Sequence, residues 1–279
     1  MNIAIIGLGL MGASLAGALK GFRGARIIGA DRRPEVCRMA LETGLVEAAQ
    51  PEAGPVLEQA DVVILCLYAR DIPELIRATQ GRLKPGLVLA DICGVKSRLY
   101  PALEEMLPPT VEYIGLHPMA GKERDGFENA DPAIYRNCGF IICPVEGTAD
   151  STVRLMRELA QHIGAARIAV TSPDRQDEII AYTSGLMHIA AAGLCLDFHP
   201  QMSSAFAAGA FRDCTRVADI NAGAWTELLM DNRPAILDQL GKYMASLECF
   251  RRALADSDEA SLHSLLETAG NNKRKMLQL

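Results

Sequence analysis

Residues 2–6 are a short apolar run that ends in Gly7-Leu8-Gly9-Leu10-Met11-Gly12, and a helical pattern follows over 13–20. A strand that feeds glycines in G-x-G-x-x-G spacing and then a helix restricts the start of the chain to a βαβ unit with a dinucleotide-binding turn. Gly7 permits the tight turn, Gly9 lets the backbone approach a pyrophosphate, and Gly12 allows close packing of helix on strand. Leu10 and Met11 complete the loop at the helix N-terminus, whose free amides face phosphate. A second apolar run, 26–30, ends at Asp31, 19 residues beyond Gly12. A carboxylate there accepts hydrogen bonds from the adenosine ribose and repels a 2′-phosphate, which favours NAD over NADP. Arg32 and Arg33 follow, and either could clamp a 2′-phosphate. A glycine turn in a ligandless α/β domain is the competing reading.

The rest of the first half keeps the same rhythm. Apolar runs recur at 61–66, 86–90, 111–116, 138–143 and 167–171, with amphipathic stretches near 10–20, 34–43, 71–82, 96–106 and 148–163. The alternation predicts a mostly parallel sheet covered on both faces, a Rossmann-type α/β domain over 1–171. Past Pro173 no candidate strand remains. Helical periodicity runs over 174–196, 202–218, 222–255 and 258–270, broken at His199-Pro200 and Asn221, so 172–279 is expected to be an all-α domain. No repeat or long polar linker separates the halves.

Composition narrows the function classes. The formal charge is −6, no Lys/Arg cluster stands out, and 5% of residues are aromatic, which argues against nucleic acid and anionic membrane as partners. The eight cysteines, at 37, 66, 93, 138, 143, 195, 214 and 249, include no C-x-x-C and partly lie inside apolar runs. They read as buried, reduced thiols of a cytoplasmic protein, with no metal site. The N-terminus lacks the features of a signal peptide. The stretch 179–196 has no charged residue and is long enough to cross a bilayer, but Tyr182, Thr183, Ser184, Gly185, His188 and Gly193 interrupt it. A helix apolar on most faces is also what a subunit interface requires, so a homodimer joined through the helical half is expected.

His117 lies in Gly115-Leu116-His117-Pro118-Met119-Ala120-Gly121, at the end of the fifth apolar run. Ligands of doubly wound sheets lie beyond the carboxyl ends of the strands, which puts this imidazole where chemistry would occur. Its ordinary near-neutral pKa suits it to taking a hydroxyl proton. Arg212 and Arg216, four apart, share a helical face, and a guanidinium is a natural partner for a substrate carboxylate; an ordinary surface ion pair with Asp213 is the plainer alternative. The single tryptophan, Trp225, could equally anchor packing. His162, His199 and His263 have no supporting pattern.

The segment GLHPMAGKERDGFENA resembles the G-H-P-M-A-G-x-E-x-x-G motif of the prephenate dehydrogenase family. DEIIAYTSGLMH resembles that family's substrate helix, and AFAAGAFRDCTRVADINAGAWTELLMDNR its G-x-F-(K/R)-D-x-T-R…W segment. The resemblance covers nearly the whole chain and implies a dinucleotide domain, a helical dimerisation domain and an active site between them. By that resemblance His117 is the catalytic histidine at the C4 hydroxyl of prephenate, and Arg216 holds the ring carboxylate. His188 matches a histidine of the substrate helix, while Gly209 and Trp225 match positions that line or support the pocket, and Asp213 and Thr215 complete the arginine's motif. Two positions depart from the pattern: Gly94 stands where many members carry serine, and Gly185 where some carry histidine.

The implied reaction is NAD-dependent oxidation at C4 of prephenate with loss of the C1 carboxylate as CO2, giving 4-hydroxyphenylpyruvate for tyrosine synthesis. Aromatisation drives it, so the protein need only orient its ligands and manage one proton. The alternatives are arogenate as substrate, another dehydrogenase or imine reductase of the same plan, and a non-catalytic dinucleotide sensor. The sequence stops at Leu279, which leaves no expected room for an appended regulatory domain.

Overall fold

The structure is a computed structural model that describes residues 1–122, 125–196 and 204–276. Its first half is one eight-stranded sheet in the order β3-β2-β1-β4-β5-β6-β7-β8. The strands are β1 (Asn2–Ile6), β2 (Arg26–Ala30), β3 (Ala48–Gln50), β4 (Val62–Leu65), β5 (Val88–Asp91), β6 (Glu112–Met119), β7 (Gly139–Pro144) and β8 (Arg167–Val170). The first six run parallel, β7 turns antiparallel to β6, and β8 follows β7 in parallel. The alternating side chains of β1 explain why its run is apolar throughout. Ile3 and Ile5 enter the core on one face of the sheet, Ala4 and Ile6 the core on the other. Strand β3 is absent from the sequence reading. It is a three-residue edge strand, Ala-Ala-Gln, with neither β-branched residues nor full burial to mark it.

Helices α1 (Leu10–Ala18), α2 (Pro34–Glu42), α3 (Gly54–Leu57), α4 (Ile72–Thr79), α5 (Leu99–Met106) and α6 (Asp150–His162) connect the strands. The chain order reverses between β1 and β4, so the loops after these two strands splay apart and leave a crevice at their carboxyl ends.

The second half is helical: α7 (Pro173–Ile180), a π-helical segment (Ala181–Gly185), α8 (Leu186–Leu196), α9 (Gly209–Thr215), α10 (Ala222–Asp231), α11 (Arg233–Ala255) and α12 (Glu259–Met276). Ser172 caps α7 by accepting from the Arg175 amide, and Asn221 caps α10 by accepting from the Ala224 amide. The expected single stretch over 222–255 is two helices. Asn232 has non-helical angles (φ −104°, ψ 22°), and Pro234 in the next first turn cannot donate to the preceding one. The expected break at His199-Pro200 lies outside the described residues, as do Glu123 and Arg124 of the histidine motif.

Burial is uneven between the halves. In the 23-residue α11 only Ile236 and Ala253 are buried, and in α12 no side chain is. Leu237, Met244, Leu254 and Leu266 are each about 60% exposed (60%, 61%, 63% and 59%). All eight cysteines are free. Cys37, Cys93, Cys138 and Cys143 are buried as expected, but Cys195 on α8, Cys214 on α9 and Cys249 on α11 are exposed.

Candidate active site

A cleft of about 920 Å³ opens between the carboxyl edge of the sheet and the helices α7, α10 and α11. That is at the upper end of the ~300–1,000 Å³ typical of ligand pockets. Gly7, Gly9, Leu10, Met11, Gly12, Asp31 and Arg32 line one arm of it, and His117, Gly94 and Trp225 line the other.

The glycine loop is shaped by contacts that no side chain would survive. Gly7 has φ +92°, and a Cβ there would lie 2.4 Å from the Cys66 carbonyl oxygen. A Cβ on Gly12 would fall 1.8 Å from the Gly7 carbonyl oxygen. Gly9 differs: a Cβ there would meet nothing within 4 Å, so the backbone at the start of α1 faces open cleft. That free space beside helix-terminal amides fits a pyrophosphate. The nearly buried Asp31 accepts from the Leu8 amide at 2.9 Å and from the Arg33 amide and Nε at 3.0 and 3.1 Å. Arg33 is thus the arginine tied to this carboxylate, and both it and Arg32 line the cleft. A nicotinamide dinucleotide fits the set: open helix-terminal amides at Gly9 would take its phosphates, and the Asp31 carboxylate at the end of β2 would take its ribose. Asp31→Ala should raise KM for NAD more than it lowers kcat, because a ribose contact acts equally on ground and transition states. Steady-state kinetics in NAD check this; unchanged NAD kinetics would remove Asp31 from the ribose site. Cys66 and Cys93 also line this region, and burial pushes both thiols up, so they line the cleft as neutral groups rather than as thiolate nucleophiles.

His117 is half-buried on β6. Its Nδ1 lies 3.3 Å from Oε1 of Gln176 on α7. Burial, together with the nearby Lys96 charge, pushes its pKa down to about 4, well below the near-neutral value that the sequence suggested. The imidazole is neutral at physiological pH and able to accept a proton. A Cβ on Gly94 would sit 3.8 Å from His117 Nε2 and 3.5 Å from Leu228, ordinary contact distances. The departure at Gly94 therefore leaves space beside the imidazole. The departure at Gly185 has the opposite cause: a Cβ there would lie 2.2 Å from Ile236 Cδ1, so α11 occupies the room a side chain would need.

Beneath His117 is a buried polar knot that the sequence reading passed over. Lys96 and Asp91 are both fully buried and pair at 2.5 Å. Lys96 Nζ also donates to the Leu116 carbonyl at 2.7 Å, and Tyr113 donates to Asp91 at 2.8 Å. Asp177 on α7 accepts from the amides of Lys96 and Ser97 at 2.9 and 2.8 Å, while Asn232 donates to the Asp177 carbonyl. These bonds stitch the helical half onto the end of the sheet. Arg70–Glu227 (2.9 Å) and Arg98–Asp231 cross the same boundary. A lysine five residues after an aspartate that ends an apolar run is the available signal there; Asp177 opens the segment that resembles the family's substrate helix, while Gln176 has none, because DRQDE reads as a solvated helix start.

The remaining expected residues lie elsewhere in the helical half. His188 stacks on Trp225 with ring centroids 3.5 Å apart and its Nδ1 donates to the Ser184 carbonyl at 2.9 Å. Trp225 and Ser184 line the cleft. Gly209 begins α9 and Arg216 opens the turn after it; both are exposed, and neither is among the described residues lining the cleft.

Comparison with known proteins agrees along the whole chain. Residues 15–169 match the family described as "Prephenate dehydrogenase, nucleotide-binding domain", and residues 172–268 match "Prephenate dehydrogenase, dimerization domain". A prephenate dehydrogenase of Bacillus subtilis is 28% identical over 275 residues, 96% of this chain and 74% of that one. The structure of Synechocystis arogenate dehydrogenase superposes with a TM-score of 0.86 at 27% identity, covering 99% of this chain and 100% of that one. A prephenate dehydrogenase from A. aeolicus, solved with hydroxyphenyl propionate and NAD+, shares the fold with a TM-score of 0.88 at 24% identity, covering 99% of this chain and 98% of that one.

Proposed function

We propose that this chain, which belongs to the prephenate dehydrogenase family and is an NAD(P)-dependent oxidoreductase, oxidatively decarboxylates prephenate to 4-hydroxyphenylpyruvate with NAD+. The observation that carries the reading is the position of His117: a neutral imidazole opening into the cleft that also holds the glycine loop and Asp31.

Bound in the cleft, NAD+ supplies the hydride acceptor. Gly9 and the start of α1 hold its phosphates, and Asp31 its ribose. Asp31 is the support for NAD over NADP, since a 2′-phosphate would be set against its carboxylate; Arg33, engaged by that same carboxylate, is drawn away from phosphate binding. His117 accepts the C4 hydroxyl proton as the carbonyl forms and returns a proton to that oxygen as loss of CO2 aromatises the ring to the phenol. The resemblance assigns the ring carboxylate to Arg216, which stands outside the cleft lining of one chain, on the helical half that also carries the stacked His188 and Trp225. In this reading Gly209 supports that side by starting α9.

Arogenate is the second reading, and the likeness to the Synechocystis enzyme is what favours it. The two substrates differ only in the side chain, a keto acid against an amino acid. kcat/KM for prephenate and arogenate, each with NAD and NADP, decides between them. The proposal expects the prephenate–NAD pair to give the highest value, and a higher value for arogenate would replace it.

The active form is proposed to be a cytoplasmic homodimer joined through the helical half. The apolar, unburied surfaces of α11 and α12 support this, as does the match of residues 172–268 to a dimerisation domain. The same assembly accounts for the apolar segment Pro173–Leu196, of which only 28% of the most apolar window is buried within one chain. Light scattering at micromolar concentration is expected to give twice the mass of one chain. A monomer would sink the assignment.

A further inference from the structure

We propose that Gln176 is a positioning residue for this reaction, holding His117 in the Nδ1–H tautomer so that Nε2 carries the lone pair facing the cleft. The inference rests on the reading of His117 as proton acceptor.

Donors and acceptors around Gln176 fix its orientation. The fully buried Gln176 amide nitrogen lies 3.0 Å from the Gly94 carbonyl oxygen and 2.8 Å from Asp177 Oδ1. A carbonyl and a carboxylate can only accept here, so the NH2 group must face both. Flipping the amide would set an oxygen against two oxygens in a buried place. Oε1 is thereby committed to the other side, where it faces His117 Nδ1 at 3.3 Å and the Cys143 thiol at 4.0 Å. An amide oxygen only accepts, so Nδ1 must carry the proton. Nε2 is left unprotonated, 3.8 Å from where a Cβ on Gly94 would stand, and Gly94 and His117 both line the cleft. Gln176 thus does what an orienting carboxylate does in a hydrolase triad, but without a charge that would hold the imidazolium.

Most charged and titratable groups on the elements around the ring are otherwise engaged. Asp91, at the end of β5, and Lys96 pair with one another. Asp177 is bound by the backbone of 96–97 and by the Ser97 hydroxyl. Cys143 on β7 is a neutral thiol pushed up by burial to about 12. Glu227 on α10 has Arg70 at 2.9 Å as its counter-charge, and its two oxygens make no hydrogen bond among the described residues. Gln176 is therefore the group that sets the ring's tautomer, while Lys96 and Asp91 act on its charge from a distance.

Nitrogen NMR of protein carrying isotope-labelled histidine tests this directly, with the His117 signals assigned by their loss in His117→Asn. The wild-type protein at neutral pH should show His117 as the Nδ1–H tautomer; the Nε2–H tautomer would overturn the proposal whatever the activity. Gln176→Leu should give mixed tautomers and lower kcat by about 10–100-fold with little change in KM. Gln176→Glu replaces the NH2 group by an oxygen facing the Gly94 carbonyl and the Asp177 carboxylate, so burial and the neighbouring carboxylate hold it as the neutral acid, whose O–H donates there and whose carbonyl keeps the acceptor for Nδ1–H. It should keep the Nδ1–H tautomer and retain more kcat than Gln176→Leu. A Gln176→Glu enzyme no more active than Gln176→Leu, or an unchanged tautomer and kcat in Gln176→Leu, would reduce Gln176 to packing. If Gln176→Leu fails to fold, the tautomers of the wild type and of Gln176→Glu still decide. Because the tautomer is read without turnover, a protein inactive on both substrates would refute the functional reading and leave the NMR result standing on its own.

Discussion

His117→Asn is expected to lower kcat by about 10²–10⁴-fold, the usual worth of a positioned general base, while KM for prephenate moves little. Asparagine keeps a polar group of similar size at the end of β6 but cannot take the hydroxyl proton. The pH dependence gives the same prediction a second face. The His117 pKa is pushed down to about 4, so the base is neutral, and active, across physiological pH. Activity should decline only as the pH falls toward that value and the ring protonates. That limb should vanish in the variant. The sequence alone suggested a limb nearer neutrality; burial and the Lys96 charge both disfavour the imidazolium and move it down. A His117→Asn enzyme with normal kcat would rule out the mechanism even within the right family.

The second large effect is on stability. Lys96→Met leaves Asp91 buried with its Tyr113 hydroxyl and Cys93 amide bonds but without its cation. Removing one partner of a buried ion pair costs about 3–5 kcal/mol, because the remaining charge is uncompensated. At roughly 2–4 °C per kcal/mol for a chain of this size, Tm should fall by about 6–20 °C in a thermal melt. Replacing both residues, Lys96→Met with Asp91→Leu, should recover much of the loss, since no charge then remains buried. A single variant that melts with the wild type would mean the pair is solvated and the site wetter than described. Any surviving activity of Lys96→Met carries a further sign: with one cation fewer beside His117, the acid limb should move up.

How far the sequence could be read follows from which signals are local. The first strand, the glycine loop and Asp31 are legible because backbone geometry dictates residue type at each position, as the contacts a Cβ would make at Gly7 and Gly12 demonstrate. Strand β3 escapes because an edge strand of three small or polar residues takes its structure from β2, not from its own pattern. The division at Asn232 was written in Pro234 but hidden by apolar periodicity on either side. The polar knot under His117 was the least legible. Asp91, Lys96, Gln176 and Asp177 look like surface residues in sequence; Asp91 is buried at the end of a central strand against Tyr113 and Lys96, and Gln176 and Asp177 where α7 docks on the loop after β5. The sequence motif nominated His117, while its tautomer and lowered pKa arise from residues dozens of positions away.

In the proposed reaction this cleft couples oxidation at C4 to loss of the ring carboxylate. The most direct measurement is the yield of NADH and of CO2 from a limiting amount of prephenate in the presence of excess NAD+. The account predicts one of each per prephenate consumed, with 4-hydroxyphenylpyruvate as the organic product. NADH formed without CO2, or prephenate left untouched while NAD+ binds, would contradict it.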